Sequence, residues 1–177
     1  MVKFAKVIIN RNSNEYRNLH FLPDIFKLMV KYERFMFDDY FGINDLADAL
    51  YHLIESSGRF FWVILNSDTE EFMGFAYFDK FIGNENNLHS AEINTCFCRK
   101  YWGQPVRDTA KKFIRYCFKK YQFQKIKASV FKENTVVKGL LRSLGFKKEA
   151  LLKGETFKNN KLQDVEIYSI LRREKCK

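Results

Sequence analysis

The segment Ala91–Phe113, AEINTCFCRKYWGQPVRDTAKKF, begins as a strand and ends as a helix. Between them, YWGQPV places Gly103 where a backbone can approach a ligand closely. Pro105 stands where a helix tolerates a residue with no N–H. A strand that turns into a helix N-terminus can hold phosphate, because the first amides of a helix have no intrahelical partner and its dipole favours negative charge. The donors this leaves are the amides of Val106, Arg107 and Asp108. Arg107 adds a cation that either pairs with a phosphate oxygen or blocks the cradle by its bulk. Asp108 suits the helix dipole but repels a phosphate.

The charge balance agrees with an anionic partner. The 177 residues carry 31 Lys and Arg against 21 Asp and Glu, a net charge of +10. The excess gathers in the second half, in Arg99–Lys100, Lys111–Lys112, Lys119–Lys120, Lys147–Lys148 and the tail RREKCK. Such a balance favours a phosphorylated cofactor, nucleic acid or an acidic protein surface, while most single lysines read as a solvated face. Cys96 and Cys98 lie two apart on a strand and face the same side. With Cys117 and Cys176 they lack the paired spacing of a zinc site and read as reduced thiols.

These residues need a scaffold. A chain of this length suits one domain, residues 1–177, and 46% hydrophobic residues with a mean hydropathy of −0.37 describe a soluble globular protein. Nineteen Phe and nine Tyr predict an aromatic-rich core. No apolar run approaches the roughly 20 residues of a membrane helix, and MVKFAKVIIN is too short in its apolar part for a signal peptide. KFAKVIINR reads as a strand, LPDIFKLMVKYERFMF as a helix, and NDLADALYHLIESSG as a second helix with Asn44 as its N-cap and Gly58 past its end. RFFWVILNS, FMGFAYFDKFI and LHSAEINTCFC are strands, with DTEE and GNENN between them. Val106, Ala110, Phe113, Ile114, Cys117 and Phe118 form one face of a helix from Pro105 to Lys120. KIKASVF is a strand, ENTVVKGLLRSLGF a helix ending at Gly145, and EALLKGETFKNNKLQDVEIYSILRR a hairpin turning at KNNK. A helix between the strands INTCFC and KASVF implies one parallel crossover. The fold class is therefore α/β (α+β): a mixed, mostly antiparallel sheet of about seven strands with helices on both faces.

Three of these segments together resemble the GNAT superfamily of acyl-CoA N-acyltransferases, in particular the ribosomal-protein N-terminal acetyltransferase type. AEINTCFCRKYWGQPVRDTAKKF is similar to the family's strand–turn–helix, ENTVVKGLLRSLGF to its later helix, and GETFKNNKLQDVEIYSIL to its final hairpin. The likeness spans roughly residues 59–172; residues 1–58 match a β-α-α opening by order alone, and 173–177 form a basic tail. The family's turn, Q/R-x-x-G-x-G/A, maps onto Trp102, Gly103, Gln104, Pro105, Val106 and Arg107, so Pro105 and Arg107 replace small residues. The resemblance implies acetyl-CoA as cofactor, bound by Phe97, Cys98, Trp102, Gly103, Gln104, Val106, Arg107, Asp108 and Asn134. Trp102 reads equally as a packing residue, and Asn134 as a helix N-cap. Glu92 occupies the place of a glutamate base in many relatives, or is a surface carboxylate. The usual acid positions fall on Val137 and Leu141, which cannot donate a proton; Tyr168 is a substitute acid or a packing residue, and Asp164 matches a hairpin aspartate.

The implied function is acetyl transfer from acetyl-CoA to a protein or small-molecule amine in the cytoplasm. The alternative is a catalytically degenerate fold used for binding or assembly, as in a phage, where the location would be host cytoplasm or virion. Nucleic-acid binding ranks last, because the aromatics follow core periodicity and do not interleave with basic residues.

Overall fold

The computed structural model describes residues 1–39, 46–84 and 87–172, with the backbone alone at residue 46. Asn44, Glu85 and Asn86 of the GNENN loop, and the 173–177 tail with Cys176 lie outside them. The chain divides into two compact units, Met1–Asp79 with Asn94–Trp102, and Lys80–Ile93 with Gly103–Lys177.

The first unit holds β1 (Val2–Lys6), β2 (Ile8–Asn10), β3 (Glu15–Arg17), α1 (Leu22–Lys31), α2 (Glu33–Met36), α3 (Leu46–Ser57) and β4 (Phe61–Asn66). It also takes most of β5 (Phe72–Asn84) and the end of β6 (Asn87–Phe97). The second unit holds the rest of β5 and β6, then α4 (Gln104–Tyr121), β7 (Lys125–Phe131), α5 (Thr135–Ser143), β8 (Lys147–Lys158) and β9 (Lys161–Leu171). Seven strands form one sheet in the order β1-β4-β5-β6-β7-β9-β8, and β2-β3 form a separate pair. β6 and β7 pair in parallel; β1–β4, β4–β5, β7–β9 and β8–β9 pair antiparallel. The mixed sheet with one parallel crossover is as the sequence predicts.

Two expected elements are split. The strand expected over Lys3–Arg11 breaks at Val7: β1 leaves β4 at Lys6↔Trp62, Val7 N–H donates to Phe61 O at 3.1 Å, and β2 turns to pair with β3. β3 was not expected, because the polar run around it carries only turn chemistry. Asn14 adopts φ +53°, and the Asn10 side chain accepts from Ser13 N–H. The helix expected over Leu22–Phe37 breaks at Tyr32 (φ −115°, ψ 18°), whose N–H is shared between Leu28 O and Met29 O. The final hairpin turns as expected, with Asn159 and Asn160 both at positive φ, the backbone of a tight two-residue turn.

The first unit's core is aromatic, as predicted. Phe61 stacks on Phe75 and Tyr77 at centroid distances of 5.7 and 5.5 Å, among Val7, Ile25, Met29 and Ile54. Every residue of β4 from Phe61 to Leu65 is buried, so both faces of this strand are covered and its near-continuous apolar run is explained. β5 approaches β6 so closely at Gly74 that a Cβ there would lie 2.2 Å from Cys96 O and 2.9 Å from Phe97 Cα. Both atoms are backbone, and Cys98 N–H is bonded to Met73 O alongside, so neither side yields.

The second unit contains a buried polar cluster. Glu166 is 6% exposed; it accepts from Lys148 Nζ at 2.9 Å and from the Tyr168 hydroxyl at 2.8 Å, with Lys138 Nζ at 3.7 Å. Arg142 Nη2 donates to the Tyr168 oxygen at 3.2 Å. Lys148, with Tyr168 and Lys138, holds the Glu166 carboxyl below its usual 4.5, while burial pushes the Tyr168 phenol up. Asp164 has a similar structural role: it accepts from Gly154 N–H and pairs with Lys132 at 2.9 Å, fixing β9 to the irregular middle of β8.

Two outcomes are expected. Gly74→Ala should destabilise the protein by about 2 kcal/mol or more, read as a lower urea midpoint, because backbone must shift to admit one methyl. Because the Glu166 pKa is depressed in the folded state, its contribution is complete above the unfolded value of about 4.5 and is lost as pH falls through the folded value. Urea midpoints measured down that acid range should fall less steeply for Glu166→Gln than for the parent.

Candidate functional site

The parallel ladder is short. Its register covers Ser90↔Lys125, Ala91↔Ile126 and Glu92↔Lys127. β7 then continues to Phe131 paired with β9 alone, so from Ala128 onward one of its edges presents backbone groups with no strand partner in this register. Glu92 sits at the point where the ladder ends. Its side chain is 9% exposed, and Lys80 Nζ donates to Oε1 at 3.1 Å. Lys80 itself adopts φ +45° within β5, a left-handed conformation uncommon for a residue with a side chain. Sequence reading found the carboxylate and missed the lysine, because nothing in FDKFI marks a residue turned out of the strand toward β6.

The same unit supplies the helix N-terminus. α4 starts at Gln104, with Gly103 as N-cap at φ +95° and no side-chain cap. The Arg107 N–H donates to Gly103 O at 3.2 Å, which closes the first turn. The expected donor set therefore changes: Arg107 and, one residue further into the helix, Asp108 are spent inside α4, Pro105 has no N–H, and the amides at the open end are those of Gln104 and Val106. The Val106 side chain is buried and anchors this end. A Cβ built on Gly103 meets nothing within 4 Å, so the space in front of the turn is open. Gln104 Nε2 donates to Asp108 Oδ1 at 2.9 Å, which occupies part of that carboxylate. The Arg107 side chain is exposed and meets no acidic group among the described residues. Two amides, an uncapped dipole and a free guanidinium fit a pyrophosphate group.

Asn134 is the N-cap of α5: its Oδ1 accepts from Val137 N–H at 3.2 Å, and the residue is 9% exposed. Val137 and Leu141 lie on this helix. Tyr168 is 1% exposed and its hydroxyl hydrogen is engaged by Glu166, so a proton acceptor elsewhere would have to displace that bond.

In the first unit, Phe97 is buried and accepts from Trp102 Nε1 at 3.0 Å, which folds residues 97–102 into a closed turn. Trp102 is both packed and available: its ring lies 5.7 Å from that of Tyr32, yet it is 41% exposed. Tyr32, at the helix break, was invisible to sequence reading because the periodicity runs through it. Cys98 is half-buried, its thiol raised mainly by burial; burial also pushes Cys96 up to about 12, so neither thiol ionises readily. Among the described residues Cys96, Cys98 and Cys117 are free.

An acetyltransferase (GNAT) domain matches residues 20–147. An uncharacterized N-acetyltransferase p20 of Bacillus licheniformis is 35% identical over 133 residues, 75% of this chain and 69% of that protein. Mycobacterium smegmatis RimJ in complex with CoA-disulfide has the same fold, with a TM-score of 0.76 at 17% identity over 99% of this chain and 84% of that one. Spermidine N-acetyltransferase from Vibrio cholerae in complex with CoA and spermine gives 0.70 at 21% identity over 97% and 96%. The family suggested by the three motifs is thus the family found, and the chain belongs to the GNAT acetyltransferases.

Proposed function

We propose that the protein transfers an acetyl group from acetyl-CoA to a primary amine, either a protein N-terminus or a small polyamine. The observation that carries this reading is the end of the parallel ladder at Glu92↔Lys127, in a unit whose α4 begins with two unengaged amides. Gln104 and Val106 amides with Arg107 would hold the pyrophosphate, and the open edge of β7 would take the amide-bearing arm of the cofactor by strand-like pairing. When bound, acetyl-CoA supplies the acetyl group as an activated thioester.

Glu92 is the proposed base. A buried carboxylate that already receives one ammonium, that of Lys80, has the charge and position to receive a substrate ammonium and take its proton. Tyr168 is assigned the support of β9 through Glu166 rather than proton donation, since its hydrogen is committed. Asn134 supports the site by capping α5. Val137 and Leu141 carry no acidic proton, so water would have to protonate the leaving thiolate. One observation favours the non-catalytic alternative: Lys80 neutralises Glu92.

Calorimetric titration separates the two readings. Micromolar binding of CoA supports the cradle, and its absence at millimolar CoA supports a binding or assembly role. Arg107→Glu should weaken CoA binding roughly tenfold or more through charge reversal; unchanged affinity removes Arg107 from the site. Glu92→Gln should leave CoA affinity intact and lower turnover with an amine substrate by about 100-fold, the lower range for general-base catalysis. An unaltered rate would exclude Glu92 as base.

A further inference from the structure

The solvent side of α4 carries more positive charge than folding or cofactor binding uses. Lys111, Lys112, Arg115 and Lys119 are all exposed and, by helical geometry, fall within about 100° of one another around the axis. None meets a carboxylate among the described residues. The contrast within the same unit is sharp: Lys125, Lys132 and Lys148 each reach an acidic side chain at 2.7, 2.9 and 2.9 Å. The one acid on this face, Asp108, accepts from Gln104 instead. Lys119 suits the negative end of the helix dipole, but Lys111, Lys112 and Arg115 lie in mid-helix and gain nothing from it. Lys111, Arg115 and Lys119 follow one another at i, i+4, where like charges destabilise a helix. Folding alone therefore works against this row.

The face also lacks what a protein partner usually needs. No large hydrophobic side chain of α4 is among the exposed ones, so there is no apolar centre for a protein interface. Phe113 and Phe118 are buried, leaving neither as a stacking platform for unpaired bases. What remains is a straight row of cations. Lys111 to Lys119 spans about 12 Å, over which one strand of a duplex presents about three to four phosphates.

We propose that this face of α4 binds the phosphate backbone of double-stranded nucleic acid without reading sequence. The surface is independent of the acetyl-transfer reading, and none of its four residues belongs to the proposed cofactor site.

The test is fluorescence anisotropy of the full chain with labelled RNA and DNA duplexes of one sequence. Four phosphate contacts predict a slope of log K against log salt of about −3.6, hence a loss of roughly a hundredfold between about 50 and 200 mM salt. The triple variant Lys111→Gln, Arg115→Gln, Lys119→Gln should bind weakly, with a slope shallower by about 3 units, while its melting temperature is no lower than the parent's and its CoA affinity is unchanged. Preference for one duplex names the nucleic acid bound; equal affinity means that the backbone alone is read. No binding at low salt, triple-variant binding equal to the parent, displacement by saturating CoA, or equal affinity for polyglutamate would each overturn the proposal.

Discussion

Parallel pairing between β6 and β7 lasts for three residue pairs and stops at Glu92. Much of the second unit depends on that stop. A parallel connection requires a crossover, and here the crossover is α4, whose apolar face from Val106 to Phe118 is buried. Because β7 outruns the ladder, its backbone from Ala128 to Val130 is paired with β9 on one edge and, among the described residues, has no strand partner on the other. A sheet edge within a fold carries unpaired donors and acceptors, and such an edge is a template for an extended ligand. The uncapped start of α4 adds an anion-seeking end. An edge free of strand pairing and a helix end with unpaired amides thus belong to the same crossover.

Buried charge is the second constraint. Glu92 and Glu166 are both largely removed from water, and each is met by lysine. The two clusters differ in what they leave free. Glu166 receives Lys148 and Tyr168 and has Lys138 nearby, so both carboxylate oxygens are engaged. Such a network is costly to disrupt and holds α5, β8 and β9 together. Glu92 receives Lys80 on one oxygen only among the described hydrogen bonds, and Lys80 is itself 64% exposed on its side chain. A partner that solvent reaches is more easily exchanged than one held inside.

The sequence alone was enough for the family and for the succession of elements from β4 onward, but not for β3 or for the breaks at Val7 and Tyr32. Periodicity fixes whether a stretch buries one face or alternates, and the patterns of α4 and β4 are strong because the apolar face of α4 is continuous and β4 is apolar almost throughout. Gly103, Pro105, Asn134 and the Asn159–Asn160 turn were also legible, since each acts through its own backbone conformation or a neighbour within three residues. Where periodicity continued through a break, as at Val7 and Tyr32, the sequence read one element and the protein forms two.

Tertiary structure alone decided who meets whom. The Lys80–Glu92 pair spans 12 residues, Tyr32 meets Trp102 across 70 positions, and Arg142 reaches Tyr168 across 26. No local pattern encodes these partners, because electrostatic and packing energies depend on distance in space and not along the chain. The same holds for Tyr168, an acid or a packing residue by sequence, whose hydroxyl donates to Glu166 in the fold. It holds for the amides of α4, where Arg107 N–H is consumed by Gly103 and the free set becomes Gln104 and Val106. Composition and period determined most of the elements; the register of β6 on β7, a property of the assembled sheet, determined where the edge of β7 is left without a strand partner.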